Sequence, residues 1–133
     1  WVKRVTVMFD GVSTSGTSGF LVQLGDSGGV ETTGYVGTAM IQSNIFVTST
    51  SGFAVAGNAY YTAASTRSGA IYITNMTGNT WVASGALYET GNGGWAWSFG
   101  GAKTLSAVLD RVRIVTLNGT DTFDTGTINV MWE

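Results

Sequence analysis

No stretch of this chain repeats its apolar residues at the 3.6-residue spacing of a helix. Brief alternations of apolar and polar side chains recur along its whole length instead, broken by Gly, Asn, Ser and Thr. Such a pattern folds into strands and turns. Composition points the same way: 20 glycines, 20 threonines and 12 serines, no proline, and only two lysines and three glutamates among 133 residues. The branched Cβ of threonine suits a pleated surface, and glycine and asparagine supply tight turns. The chain is expected to be all-β, with less than about one-tenth helix.

The expected strands begin with Trp1–Phe9, which sets Val5, Val7 and Phe9 on one face and Arg4 and Thr6 on the other. Asp10–Gly19 reads as a hydroxyl-rich loop, Phe20–Leu24 as a short strand and Gly25–Gly34 as a turn region. Tyr35–Phe46 holds two strands around Ser43-Asn44, or one with a bulge. Phe53–Ala56, Ala59–Ala63 and Ala70–Thr74 follow, then Thr80–Glu89 with a bulge or tight turn at Ser84-Gly85. Trp95–Phe99, Leu105–Leu109 (a strand or a single helical turn), Arg111–Leu117 and Thr127–Trp132 complete the set. Roughly nine to eleven strands in one domain require two facing sheets. The expected architecture is a two-sheet antiparallel β-sandwich of jelly-roll type, with residues 1–133 forming one domain. Val5, Val7, Phe9, Val112, Ile114, Ile128 and Val130 are expected between the sheets.

Several function classes are disfavoured at once. The chain has no cysteine and no histidine, which removes disulfides and the ligand sets of structural zinc and blue copper. Six Lys and Arg against eight Asp and Glu cannot make the basic footprint that a phosphate backbone requires, so nucleic acid is not an expected partner. No apolar run approaches the ~18 residues of a membrane-spanning helix. No cofactor is expected. The absence of an initiator methionine suggests a C-terminal fragment of a longer protein.

Gly25-Asp26-Ser27-Gly28-Gly29 matches the surroundings of a protease nucleophile and the looser elbow of α/β-hydrolases. A serine hydroxyl needs a base to take its proton, and the imidazole of the usual triad has no counterpart here. Lys3 and Lys103 fall in no recognisable dyad. The five residues therefore read as a glycine-rich turn. The acids Asp10, Asp26, Glu31, Glu89, Asp110, Asp121, Asp124 and Glu133 lie mostly in expected turns, where Asp commonly serves its own backbone. Asn118, Asp121 and Asp124 have a loose calcium-loop spacing, which competes with an Asx-turn reading.

Trp95, Trp97 and Phe99 share one face of a strand. Such a row either fills the core or offers a stacking platform for sugar rings, and burial of large rings favours the core. Tyr60, Tyr61 and Tyr88 are better surface candidates, because a phenol tolerates partial exposure. Of the adjacent pair, one ring should face inward and the other outward. The flexible Asn92-Gly93-Gly94 loop brings a ligand within reach.

Asp110–Thr116 is followed by Asn118-Gly119-Thr120-Asp121-Thr122-Phe123-Asp124-Thr125-Gly126-Thr127-Ile128 and a last strand ending at Trp132-Glu133. This run resembles the C-terminal β-sandwich domains of tailed-phage tail fibres, tailspikes and related virion proteins. Phe9-Asp10-Gly11-Val12-Ser13-Thr14, Leu21–Gly25 and Gly34-Tyr35 resemble the same family, leaving roughly 62–101 unmatched. The resemblance implies a non-catalytic host-attachment domain on the virion, extracellular and presented as a homotrimer. Its implied ligand is a cell-surface glycan or an outer-membrane protein, bound by the unmatched middle. Polar and aromatic residues of that region and its borders, Tyr60, Tyr61, Arg67, Tyr88 and Asn92, are the expected ligand contacts. Trp1 or Trp132 is expected near a subunit contact, since tryptophan is favoured at interface cores. A stand-alone carbohydrate-binding module and a structural virion domain are the alternatives.

Overall fold

The computed structural model describes residues 2–133. Eleven strands cross the described residues: β1 (Arg4–Thr14), β2 (Phe20–Asp26), β3 (Gly29–Val30), β4 (Val36–Gln42), β5 (Ile45–Thr48), β6 (Phe53–Ala56), β7 (Arg67–Thr77), β8 (Thr80–Glu89), β9 (Trp95–Thr104), β10 (Arg111–Thr116) and β11 (Phe123–Trp132). They form two antiparallel sheets, as the alternation required. Seven strands run in the order β11-β1-β7-β8-β9-β4-β5, and the smaller sheet places β10 on one side of β2, with β3 and β6 on the other. The described residues contain no α-helix, only a three-residue 3-10 turn at Gly91–Gly93.

The core lies between the sheets. Val5, Val7, Phe9, Ile71, Ile73, Leu87 and Trp97 from the larger sheet meet Phe20, Val22, Leu24 and Phe53 from the smaller one. Strand β2 is buried on both faces. Its outward Leu21 and Gln23 are covered because the β5–β6 connection folds over them: the Gln23 amide donates to the Ser51 carbonyl at 2.8 Å, and Arg113 donates to Gln23 Oε1 at 2.8 Å. Val112, Ile114, Ile128 and Val130, expected in the core, are only half-buried. They sit on β10 and β11, the edge strands of their sheets, where one flank has no neighbour to complete the burial.

Four local expectations are corrected. Asp10–Thr14 belongs to β1 rather than to a loop: the strand passes a register shift around Gly11 (φ +60°), and Ser13 is buried with its hydroxyl donating to Asp124 Oδ1 at 2.7 Å. Ala59–Ala63 is a turn region, because the left-handed backbone at Tyr60 (φ +60°) cannot continue a strand. Leu105–Leu109 forms neither strand nor helix; Leu105 and Leu109 anchor a bent connection in the core. Thr80–Glu89 pairs without interruption past Ser84-Gly85 on both sides, so no bulge or turn exists there. Trp1 and its expected subunit contact lie outside the described residues.

A carboxylate cluster fastens the β9–β10 connection to the segment around β3. Asp26 accepts the Gly28 and Ala107 amides at 2.8 Å each, and the Ser106 hydroxyl lies 2.8 Å from Asp26 Oδ2 and 2.7 Å from Glu31 Oε1. Glu31 also pairs with Lys103. The Ser106 hydroxyl and then the Gly28 amide hold Asp26 below the usual carboxylate range; Lys103, followed by the Ser106 amide, does the same for Glu31. Groups whose folded pKa is depressed stabilise the fold above their unfolded pKa, and that stability is lost as pH falls through the folded one. The midpoint of thermal unfolding should be flat from pH 7 to about 5 and drop below about pH 4. Asp26→Asn should flatten the acid limb; an unchanged limb would remove this cluster as its cause.

The outward face of the larger sheet has a different character. On β7, β8, β9, β4 and β5 no outward-facing residue is charged. Small side chains occupy its middle, with the exposed Val36, Met40, Phe46, Tyr72, Val82 and Tyr88 among them or toward its margins. Charge appears on β1 and β11 and just past the end of β11, as Arg4, Asp10, Asp124 and Glu133.

Candidate functional site

Strand direction gathers five connections, residues 15–19, 43–44, 57–66, 90–94 and 117–122, at one end of the sandwich. Most of the residues expected to contact a ligand fall at this end, and they divide into two groups.

Tyr61 and Arg67 are corrected as ligand contacts: both are buried. The Arg67 guanidinium lies between aromatic rings, 3.7 Å from the Tyr61 ring centre and 4.6 Å from that of Phe20. Its Nε donates to Glu89 Oε2 at 2.8 Å, and its Nη2 reaches the same oxygen at 2.6 Å and also the Gly57 carbonyl. The Trp97 indole donates to Glu89 Oε2 at 2.9 Å. This buried pair ties the 57–66 connection to the sheet, and burial lowers the Arg67 pKa against the opposing pull of Glu89. Its role is to support the site.

Tyr60 and Asn92 remain near the surface and form one structure with Trp95. The Tyr60 ring stacks on the Trp95 indole with centres 4.6 Å apart and planes 12° from parallel. The indole N–H of Trp95 donates to the Asn92 carbonyl at 3.2 Å, and the Gln42 amide lies 3.4 Å from the Tyr60 hydroxyl. Two non-glycine residues adopt positive φ in the described chain, Tyr60 at +60° and Asn92 at +49°, and both belong to this platform. Asparagine tolerates that region; for tyrosine it is a strained conformation that the surroundings must enforce. Gly91 permits the enforcement, because a Cβ there would stand 2.2 Å from the Tyr60 carbonyl oxygen. Tyr88 is 53% exposed and its hydroxyl lies against Gly94, next to Trp95. No residue of the platform is charged.

The aromatic row thus splits. Trp97 and Phe99 fill the core, as expected for large rings, whereas Trp95 at the start of β9 reaches the surface. Sequence reasoning placed Trp95 in the row but not among the ligand contacts, and it passed over Gln42. The signal for Trp95 was its position directly after Asn92-Gly93-Gly94, where a strand has only begun.

No protein-family model matches this chain, and neither does any curated protein or solved structure. The site must be read from its own chemistry. Beside the platform, the 57–66 connection also borders an open cavity of about 370 Å³, lined by Thr17, Ser18, Val47, Gly57, Asn58 and Asn118 among others. Its walls offer hydroxyls and amides with an apolar floor, and none of these named residues is charged.

The remaining sequence candidates serve structure. Ser27 and Gly28 form the turn from β2 to β3, so a strand follows the serine where a hydrolase elbow would begin a helix. Ser27→Ala should leave ligand binding unchanged, and a fluorophosphonate probe should not label the protein; stoichiometric labelling at Ser27 would overturn this. In the Asn118–Asp124 loop, Asn118 Oδ1 accepts the Thr120 and Asp121 amides, Asp121 accepts the Ser18 amide, and Asp124 accepts Ser13. Asn118 thus makes an Asx-type turn, while Asp121 and Asp124 tie the loop to the 15–19 connection and to β1, and no group of three or more His, Cys, Asp or Glu side chains among the described residues is placed to hold a metal ion. No helix among the described residues is long and apolar enough to cross a membrane.

Proposed function

We propose that this domain is a non-catalytic binding module that recognises a neutral glycan, and that it serves as a host-attachment domain of a phage tail fibre or spike. The observation that carries the reading is the Tyr60–Trp95 stack, held by a strained tyrosine and an indole hydrogen bond at the loop-bearing end of a rigid sandwich. Sugar rings present flat C–H faces that pack on indole and phenol, while their hydroxyls need neutral donors and acceptors. Gln42, Asn92 and the hydroxyl-lined cavity beside Asn58 supply those groups. A platform without charge favours hexoses over sialylated or phosphorylated sugars. Backbone strain concentrates at ligand clamps because a pre-formed site loses less entropy on binding.

A glycan array followed by titration of tryptophan fluorescence tests the reading. Loss of one stacking ring removes roughly 1 kcal/mol or more, so Trp95→Ala and Tyr60→Ala should each weaken binding about tenfold. Tyr88→Ala, at the margin, should weaken it less. Failure of the unaltered protein to bind any neutral glycan, or full binding by Trp95→Ala, would reject the platform as the site. The outer-membrane-protein alternative predicts attachment to cells that survives enzymatic removal of surface glycans.

A further inference from the structure

We propose that the charge-free outward face of the larger sheet is a contact surface between copies of this chain. Folded surfaces normally carry charge throughout, because charge keeps them soluble and apart. Here the outward rows of five adjacent strands, β7-β8-β9-β4-β5, carry none, and charge resumes at Arg4, Asp10, Asp124 and Glu133 along the far flank of β1 and β11. Solubility is therefore not served by this face. In its middle, Ala70, Ser84, Ala86, Ser98 and Gly100 let an opposing surface approach closely, and the exposed Phe46 and Tyr72 provide apolar area to bury.

The size fits a stable assembly. Five strands about 4.8 Å apart, from four to eleven residues long at about 3.4 Å per residue, present on the order of 700 Å². A standard interface buries about 800 Å² per partner. Charge selects the occupant. A charged protein or nucleic acid finds nothing to pair with, and would leave its own ions desolvated. A second copy brings the same neutral patch, so no like charges meet. This surface differs from the tryptophan-bearing chain ends expected to lie near a contact, and it meets the platform only at its margin, at Tyr88; Ser84 and Ser98, in its middle, are no part of the platform, so glycan binding and assembly can fail independently.

Light scattering and sedimentation over a range of concentrations test it. The unaltered protein should show a mass that is a multiple of 13.9 kDa. Ser84→Glu/Ser98→Glu, both outward and exposed, should fall to a single 13.9 kDa chain with an unchanged circular dichroism spectrum, while Ala64→Glu in an end loop stays assembled. Should the double variant misfold, Ser84→Cys supplies the only thiol in the chain. A short bismaleimide should then link chains through Ser84→Cys and not through Ala64→Cys. A monomer at every concentration, assembly of the folded double variant, or equal linking at the two positions would overturn the proposal.

Discussion

Replacing Arg67 with methionine should lower the free energy of unfolding by about 3–5 kcal/mol. Both partners of the Arg67–Glu89 pair have side chains with no exposure to water. Removing the guanidinium leaves a carboxylate in the core with only the Trp97 indole to satisfy Oε2, while Oε1 has no partner within the structure. The loss should move the thermal midpoint by roughly 10–20 °C for a chain of this size. Arg67→Met/Glu89→Gln should recover part of it, since the uncompensated charge has been removed as well. Chemical denaturation of the two single variants and the double variant measures the coupling. A loss under about 1 kcal/mol in Arg67→Met would mean that water reaches Glu89. The same substitution frees the Gly57 carbonyl, so the connection that carries Tyr60 should also loosen.

Gly85→Val should destabilise the fold by about 3 kcal/mol or prevent folding. Gly85 stands in the middle of β8, between β7 and β9. A Cβ at this position would lie 2.2 Å from the Ala70 carbonyl oxygen and 2.9 Å from the Phe99 ring. The backbone oxygen cannot yield without breaking the ladder it belongs to. Gly100 on β9 is the internal control, because its nearest neighbour to a built Cβ is the Ala83 carbonyl oxygen at 3.6 Å. Gly100→Ala should be neutral or stabilise slightly, since it lowers the entropy of the unfolded chain. Equal losses from Gly85→Val and Gly100→Val would show that general β-propensity, not close approach, governs both sites.

The contrast between these glycines shows where sequence reading stops. Alternation placed Val5, Val7 and Phe9 correctly, because a period of two is a property of the strand alone. Gly85 looks like a break in the same kind of pattern; its purpose depends on a carbonyl of the neighbouring strand, which no local pattern encodes. Arg67 reads as a polar residue in a variable region until register brings Glu89 opposite it. The same holds for Tyr60 and Tyr61: strand alternation was to set one ring inward and the other outward, but the segment is a turn, and neither the burial of Tyr61 nor Trp95 as the partner of Tyr60 follows from a local pattern. Asp10–Thr14 misled because hydroxyls usually mark loops, whereas here Ser13 is hydrogen-bonded across to β11. The all-β class and the two sheets follow from composition and periodicity. The platform follows from register and loop closure, which are matters of the whole fold.

The pairing of β1 with β11 bears on how the chain reaches this state. Arg4 hydrogen-bonds Glu133 across 129 positions, and Val5 opposes Trp132. Strand β1 cannot acquire one of its two neighbours until the final residues of this segment exist. During synthesis β7, β8 and β9 pair with one another through short connections and can zip early, while β1 waits with an unpaired edge. Closure over such long separations is slow, because the entropy of the intervening loop must be lost before any contact repays it. The vulnerable interval for misassembly is therefore the one just before the last strand docks, and a pairing partner offered to β1 in that interval would compete directly with β11.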